Sequence, residues 1–287
     1  MKISTHTGAI AELVGEEKAV ELIAKAGFDA WDFSLFGMAR MDWANNCVFD
    51  RDHPLRNGDY LGFSRKMRKI GEEFGIVCNQ SHAPFPSFVP ETRTYLKRAI
   101  ECTAEAGGEI CIIHPGNSQT VEENKELYLE LLPFAKSCGV KIATENMWNW
   151  DEEKDQACFA SCATAESFKA HFDAVNDEDF VACLDIGHAE MKGLGTNAVD
   201  LVHALGDKLQ ALHIHDNDKW HDSHCIPGTM QIDFPPIVKA LKEIGYSGYF
   251  TAEVDYYLDG YTPETALDGV KKLADAMKKL ADMFENA

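Results

Sequence analysis

The sequence predicts an α/β protein, a single (β/α)8 barrel domain that spans residues 1–287. Two observations support this fold class. Amphipathic helices alternate with short apolar strands along the whole chain, and a glycine commonly joins a helix to the next strand, where a helix C-terminus favours positive φ. Counting these units gives eight, and eight units in 287 residues match the count and length of such a barrel.

Each element can be assigned in chain order. The strands are nearly continuous apolar runs, as expected of parallel strands that are covered on both faces. We predict strands at 2–7, 30–35, 76–81, 109–114, 140–145, 180–186, 209–215 and 249–254. A helix follows each strand. The last helix is expected at about 262–284, with Thr262 as its N-cap and Pro263 as its first residue.

A doubly wound open sheet is the alternative architecture. It gives no reason for eight units, and the first strand–helix junction, THTGAIAEL, lacks the G-x-G-x-x-G turn of dinucleotide-binding sheets. We therefore expect the barrel, without a nucleotide cofactor.

Two connections are long. Loops of their length are usually lids or binding loops, so we expect 36–60, which includes Trp43, and 146–164 to lie over the C-terminal face of the barrel. An insertion that forms oligomers is the alternative interpretation.

The composition excludes several classes of function. The net charge is −20, from 47 acidic and 27 basic residues, which argues against nucleic acid or an anionic membrane as a partner. The N-terminus lacks the apolar run of a signal peptide, and the sequence contains no apolar run long enough to span a membrane. The nine cysteines are scattered, which indicates reduced thiols and a cytoplasmic location.

The segment 209–228, LQALHIHDNDKWHDSHCIPG, holds the densest group of ionisable residues. It begins as a strand on which His213 and His215 share one face, because side chains alternate with a period of two. Asp222 and His224 follow in a polar loop. This mixture of imidazole and carboxylate suits Zn²⁺, Mn²⁺ or Fe²⁺.

Six consecutive strands end in a residue type that binds metals. These residues are His82, His114, Glu145, Asp185 with the following His188, His213 with His215, and Glu253. Active sites of such barrels lie at the C-terminal ends of the strands, so we expect these side chains to converge. Glu145 and Glu253 would be costly to bury unless they are paired or metal-bound. By contrast, His171 and His203 fall on predicted helices, where we expect them to be solvated.

The motifs SHAP, HPG, EN, LD-x-GH, LH-x-HDN and D-x-H-x-x-PG, with the late Glu253, together resemble the xylose isomerase-like TIM-barrel superfamily. The resemblance covers essentially the whole chain. That superfamily includes sugar isomerases, ketose 3-epimerases, hydroxypyruvate isomerase, inosose dehydratase and endonuclease IV. Its epimerase branch implies one Mn²⁺ or Co²⁺ ion held by Glu145, Asp185, His213 and Glu253. Its endonuclease IV branch implies three zinc ions, with a second cluster formed by His82, His114, His188, Asp222 and His224.

The resemblance implies a metal-dependent sugar or sugar phosphate isomerase or epimerase that uses Mn²⁺, Zn²⁺ or Co²⁺ and transfers protons through a metal-stabilised enediolate. We expect Glu145, Glu253 and His188 to be catalytic. Substrate contacts are expected from His188, His224, Trp148 and His215. Candidate contacts for a substrate phosphate are Arg40, Arg51, Arg56 and Lys219.

Three other functions stay open on the sequence. They are an endonuclease IV-like multi-zinc phosphoesterase that cuts abasic DNA, an inosose-type dehydratase, and a non-catalytic sugar-binding barrel. The acidic charge disfavours the first of these. A homo-oligomer is also expected from the resemblance.

Overall fold

The computed structural model describes residues 1–42, 45, 47–49 and 52–287. Trp43 and Arg51, two residues of the predicted loop 36–60, lie outside the described residues.

Eight parallel strands form the barrel that the sequence predicts, and their spatial order follows their order in the chain. They span Ile3–His6, Ala30–Ser34, Val77–His82, Ile110–Ile112, Lys141–Glu145, Phe180–Asp185, Leu209–His213 and Phe250–Ala252. Neighbouring strands pair in parallel from the eighth through the first to the seventh. A single parallel bridge between Ile214 and Ala252 joins the seventh strand to the eighth and closes the ring.

Helices surround the strands. They span Gly8–Val14, Glu16–Ala26, Pro54–Asn57, Tyr60–Phe74, Pro90–Arg93, Leu96–Ala106, Val121–Ser137, Ala165–Val175, Ile186–Ala189, Ala198–Leu205, Phe234–Glu243 and Ala266–Asn286. None of those described is long and apolar enough to cross a membrane.

The last helix begins three residues later than predicted. The backbone N–H of Thr262 donates to Thr265 Oγ1 at 2.9 Å, which holds these residues in a turn. The helix then starts at Ala266 and has Thr265 at its N-cap position, so the predicted start at Thr262 and Pro263 is wrong.

The strands separate two apolar layers. The larger layer lies between the barrel and its helices, and it includes Trp31, Phe33 and Phe180. The smaller layer fills the barrel interior with short or branched side chains, namely Ile112, Ala143, Val181, Cys183 and Ala211.

The interior layer explains where the polar side chains lie. Glu145, Asp185 and His213 each follow an interior residue, Ala143, Cys183 or Ala211, by two positions along a strand. Because side chains alternate with a period of two, these three residues point into the barrel one layer nearer its C-terminal mouth.

Several strands end before the predicted boundary. His114, His215 and Glu253 lie one or two residues beyond the last paired residue of their strands. These side chains therefore come from the first residues of the connecting segments.

Both long connections contain a two-stranded antiparallel hairpin. One hairpin pairs Met41–Asp42 with Cys47–Val48, and the other pairs Asn149–Asp151 with Gln156–Cys158. Tyr60, at the end of the predicted loop, instead begins a helix and donates from its hydroxyl to Glu101 at 2.9 Å.

The prediction that His171 is solvated is wrong. His171 is buried, its Nδ1 donates to the Ser167 carbonyl at 2.7 Å, and its Nε2 accepts from the Asn124 amide at 3.1 Å. The oxygen of the same amide accepts from the backbone N–H of Gly116 at 2.8 Å. The buried histidine therefore helps to fix the segment that follows His114. His203, as predicted, lies on the helix surface, where it pairs with Glu243.

The helix Val121–Ser137 begins with a capping box formed by Thr120 and Glu123. We predict that Thr120→Ala lowers the free energy of unfolding by about 1 kcal/mol, because a backbone N–H loses its side-chain acceptor. Chemical denaturation measures this loss, and Thr120→Ser should restore the stability. Equal stability of the alanine variant and the wild type would contradict the assignment.

Candidate metal centre

Four side chains form the inner ligand group, which lies at the top of the barrel interior. They are Glu145, Asp185, His213 and Glu253, and their ligand atoms lie within 4.8 Å of one another. His213 Nδ1 is 3.0 Å from Glu145 Oε1 and 3.2 Å from Glu253 Oε2. All four residues are buried, so a bound ion would be shielded from bulk water.

A second group, the outer ligand group, comprises His188, His215, Asp222 and His224. Asp222 lies between two histidines, with His188 Nε2 at 3.2 Å and His224 Nε2 at 3.2 Å. His215 Nε2 is 3.1 Å from Asp185 Oδ1, so the outer group adjoins the inner group at Asp185.

A third group adjoins the inner group at Glu145. It consists of His82, His114 and Glu145. His114 Nε2 lies 3.1 Å from Glu145 Oε2, whereas His82 Nε2 lies 3.9 Å from the same oxygen. Nine of the residues that the sequence analysis assigned to metal binding are thus brought together in three adjoining groups, and His215 joins them.

Backbone carbonyls orient four of these histidines. The Nδ1 atoms of His82, His188, His215 and His224 lie 3.0, 2.8, 3.4 and 3.0 Å from the carbonyl oxygens of Ala83, Asn146, Asp216 and Glu253, respectively. An Nδ1–H that donates to a carbonyl leaves the lone pair on Nε2, which in each ring faces the carboxylates. Oriented second nitrogens of this kind are typical of metal-binding histidines.

His213 has the opposite orientation and a buried carboxylate as its second partner. Its Nε2 lies 3.1 Å from Asp32 Oδ2, and Asp32 also accepts from the Gln80 amide at 2.9 Å. Donation from Nε2 to Asp32 would leave Nδ1 free to bind an ion beside Glu145 and Glu253. Sequence reasoning missed Asp32. The available signal was a carboxylate inside the apolar strand AWDFS.

The unpaired atoms fit a metal ion better than a network of hydrogen bonds. Among the described residues, Asp185 Oδ2, His215 Nε2 and Asp222 Oδ1 are buried without a hydrogen-bond partner. Yet His215 Nε2 lies 3.1 Å from an Asp185 oxygen and 3.4 Å from Asp222 Oδ1. Polar atoms that lie this close without hydrogen-bonding to one another are arranged as ligand atoms are around a common ion. Buried charged groups need such a partner.

The ionisation of the metal-free groups is strongly coupled. Burial would lower the pKa of His188, but Asp185 and Asp222 raise it to about 10. Burial would also lower the pKa of His213, but the neighbouring Glu253 and Glu145 and the hydrogen bond with Asp32 raise it well above its usual value. In the absence of a metal, protons on these imidazoles supply the positive charge that the carboxylates need.

The connection between the seventh strand and the next helix is fixed by Asp216. Its carboxylate accepts from the backbone N–H groups of Asn217, Gly228, Met230 and Ile232 at 2.8–3.0 Å. This residue belongs to none of the ligand groups, so it holds the loop that carries Asp222 and His224.

Two local backbone features help to seat the outer group. A Cβ atom at Gly187 would overlap the His215 ring, so glycine permits this close approach. His224 has φ of 42°, a left-handed conformation that costs a residue with a side chain on the order of 1 kcal/mol. Such strain persists only where the surroundings impose it, here in a residue of the ligand group.

Aromatic side chains from both long connections lie against the ligand groups. Trp148 Nε1 lies 3.2 Å from Asp222 Oδ2, within donating distance. The Phe36 ring lies 4.7 Å from the His82 ring and 5.5 Å from the ring of His6, between centroids. These contacts place His6 at the edge of the site.

The candidate phosphate contacts are already paired with carboxylates. Arg40 pairs with Glu12. The other two pairs are Arg56 with Glu91 at 3.1 Å and Lys219 with Glu190 at 3.0 Å. Arg51 lies outside the described residues. Beside His224, burial raises the pKa of the Cys225 thiol, which disfavours a reactive thiolate there.

We predict that Asp32→Asn weakens metal affinity by about 10–100-fold, since partners of ligand histidines contribute effects of this size. Titration of the metal-free protein with Mn²⁺ or Zn²⁺ measures the change. The exposed Asp275→Asn is the matched control and should bind like the wild type. Unchanged affinity in Asp32→Asn would show that this carboxylate does not position His213.

Metal binding should also become tighter as the pH rises from 6 to 8. The raised pKa values of His188 and His213 mean that these rings hold protons across this range, and a metal ion must displace them. Affinity should therefore increase by about tenfold per pH unit for each proton displaced. Calorimetry in two buffers of different ionisation enthalpy counts those protons. A pH-independent affinity without proton release would contradict this account.

The comparisons with known proteins agree with the fold and the motifs. The family model described as a xylose isomerase-like TIM barrel matches residues 20–283. An uncharacterized protein of Methanocaldococcus jannaschii is 27% identical over 255 residues, which cover 82% of this chain and 78% of that protein. Fructoselysine 3-epimerase of Escherichia coli O157:H7 is 42% identical over 50 residues, or 17% of this chain and 18% of that protein.

Among solved structures, a D-tagatose 3-epimerase-like protein has a TM-score of 0.74 and 21% identity, covering 100% of this chain and 99% of the other. The family model covers far more than half of the 287 residues. This chain therefore belongs to the xylose isomerase-like TIM-barrel family.

Proposed function

We propose that this protein is a divalent-metal-dependent epimerase or isomerase of a ketose or related sugar, in which Glu145 and Glu253 transfer the proton. One observation carries the proposal. Two buried carboxylates, from the fifth strand and from the end of the eighth, lie within 3.2 Å of the same atom, Nδ1 of His213. A reaction that removes a proton from a sugar carbon and returns one needs such a pair.

The two glutamates differ in acidity, which suits opposite roles. Burial would raise the pKa of Glu145, but His213 and His114 outweigh this effect and hold that pKa well below its usual value. Burial raises the pKa of Glu253 to about 8, although His213 and His224 oppose it. Carboxylates whose environments push their pKa values apart are typical of an acid and a base in one site. We therefore assign the two glutamates as the base and the acid of the reaction, with Glu145 the carboxylate that is ionised before a metal ion binds.

The inner ligand group has the donor set for a divalent ion, which would act as a Lewis acid on the substrate carbonyl. The other side chains act on the substrate directly. His188 and His224 would hold hydroxyl groups, as predicted from the sequence. Trp148 and Phe36 cover the site from the two long connections and would exclude water from the reacting carbon.

The relatives support this class of reaction. The matched relative from Escherichia coli and the first of the similar solved structures both carry the name of a 3-epimerase. A 3-epimerase inverts a carbon next to the carbonyl of a ketose, which is the proton chemistry that two opposed carboxylates would perform.

A second candidate function is hydrolysis of a phosphoester by a cluster of two or three metal ions. The outer ligand group and the group at His82 and His114 favour it, because a single-metal reaction does not require them. The paired cations and the net charge of −20 oppose a polyanionic substrate such as DNA. We therefore rank this function second.

Metal content separates the candidates. Elemental analysis should be done on protein purified without chelator, followed by a panel of ketoses and aldoses and a panel of phosphoesters. About one Mn²⁺, Co²⁺ or Zn²⁺ per chain, with turnover of a ketose, supports the proposal. About three Zn²⁺ with phosphoester turnover replaces it with the second candidate. Product analysis separates epimerisation from the elimination that a dehydratase would catalyse.

We predict that Glu145→Gln lowers kcat by at least about 10²-fold, the lower range for loss of a general base. The fold should remain, since the amide is isosteric, and circular dichroism checks this. The exposed Glu178→Gln is the control and should keep full activity. Near-wild-type turnover in Glu145→Gln would remove this residue from the proposed role.

A further inference from the structure

A large cavity opens beside the ligand groups and extends away from them. Its inner wall includes His6, Phe36 and Phe85, whose rings lie 4.7–5.9 Å from the His82 ring between centroids. Its outer wall is formed by 11–18, which links the first two helices, and by described parts of the first long connection. The cavity therefore leads from the proposed reaction centre toward the start of the helix Glu16–Ala26.

The cavity is much larger than a simple sugar requires. Its volume is about 1410 Å³, above the range of about 300–1,000 Å³ that is typical of sites for drug-sized ligands. The four residues of the inner ligand group are not among its described lining residues, so a hexose held at that group would leave most of this space open. A substrate with an extension beyond the sugar would use it.

The cavity has a negative charge balance. Its described lining holds six carboxylates, Glu12, Glu16, Glu17, Asp42, Asp255 and Asp259. Only two of the lining side chains described are lysine or arginine, and both are paired. Arg40 pairs with Glu12, and Lys18 pairs with Glu21 at 2.7 Å. Glu17 is also paired, with Lys66 at 2.6 Å. An anionic extension would meet repulsion here, and a cationic one would be attracted.

Among the described carboxylates of the cavity lining, Glu16 would be stabilised most by a bound cation. Its side chain is only 14% exposed, and its nearest ionisable neighbour is the His53 imidazole, at 3.5 Å from Oε1. Its Oε2 atom is buried and has no hydrogen-bond partner among the described residues. A buried carboxylate oxygen without a partner is unfavourable, so a ligand that donates to it would be bound strongly.

An independent observation at the inner end points to a polar ligand. His6 is 7% exposed, lines the cavity, and has an Nε2 atom without a hydrogen-bond partner among the described residues. An imidazole nitrogen can exchange a hydrogen bond with a sugar hydroxyl. His6 therefore suits the sugar end of a ligand, whereas Glu16 suits its far end.

We propose that the cavity binds the distal arm of a ketose that bears an ammonium group, with Glu16 as the carboxylate that receives the ammonium. The inference rests on the proposed function for its reacting end. The arm runs past Phe36 and Phe85, whose apolar rings suit a methylene chain, to a primary amine at the outer carboxylates. Asp255 and Asp259 are exposed, line the same cavity and add attraction for the same charge.

Three probes test the arm. Each is a ketose whose C1 carries the same alkyl chain. The chain ends in a primary ammonium in the first probe, an N-acetylated amine in the second and a carboxylate in the third. We expect the metal-loaded protein to show a kcat/KM at least about tenfold higher for the ammonium probe than for the N-acetyl probe, mainly through KM. The carboxylate probe should be poorest. The preference should shrink at 0.5 M salt, because part of it is long-range attraction.

Two variants test which residues cause the preference for the ammonium probe. Glu16→Gln should reduce the ratio of ammonium to N-acetyl kcat/KM about tenfold. Asp259→Asn should reduce the same ratio by a smaller factor. Because Asp259 is exposed, this second variant tests the cavity even if Glu16→Gln folds poorly. The control Glu178→Gln, away from the cavity, should leave the ratio unchanged. A ratio that stays the same in both cavity variants would overturn the assignment.

Calorimetric binding of the same probes separates this inference from the proposed function. Turnover of an unmodified ketose without any preference among the three ends would overturn the inference and leave the epimerase proposal intact. Tighter binding of the ammonium probe without turnover of any ketose would support the cavity and refute the epimerase proposal. Equal binding of all three probes would also overturn the inference.

Discussion

The structure depends on one electrostatic constraint, which is the burial of several carboxylates in the mouth of a barrel. Asp32, Glu145, Asp185 and Glu253 are all buried, and an unpaired charge in such a place costs several kcal/mol. The chain meets this cost with imidazoles, each turned by a backbone carbonyl or a carboxylate. The histidine content of the segment after the seventh strand follows from that need, because an imidazole can compensate a carboxylate either as a cation or through a shared metal ion.

Much of this arrangement could be predicted from the sequence. The count of strand–helix units gave the barrel, and the period of two along a strand placed Glu145, Asp185 and His213 on the interior face. The convergence of residues from six strands follows from topology alone, because parallel strands in a closed barrel present all their C-terminal ends at one rim. The predicted start of the last helix was wrong because the hydroxyl of Thr265 accepts from the Thr262 N–H and holds a turn there. Capping preferences do not anticipate this hydrogen bond.

Other features could not be predicted because they depend on contacts between distant parts of the chain. Asp32 reaches His213 across 181 positions of sequence, and no local pattern reports that contact. His171 occupies the helix position of a solvated residue but meets Asn124 of a neighbouring helix. Asp216 and Asp222 are both of a residue type that binds metals and lie only six positions apart. Asp216 accepts from four backbone N–H groups, whereas Asp222 belongs to the outer ligand group. Residue type alone does not separate these roles.

The anchoring of the seventh connection by Asp216 has a consequence for how such proteins diversify. Its carboxylate accepts from backbone groups at both ends of the segment 217–232, so one buried side chain holds the two ends of this loop together. The residues between these ends supply Asp222 and His224, so this one anchored segment carries half of the outer ligand group. One scaffold could acquire or lose an outer metal site by replacing a stretch of fewer than twenty residues, an architecture well suited to recombination and to laboratory grafting of loops.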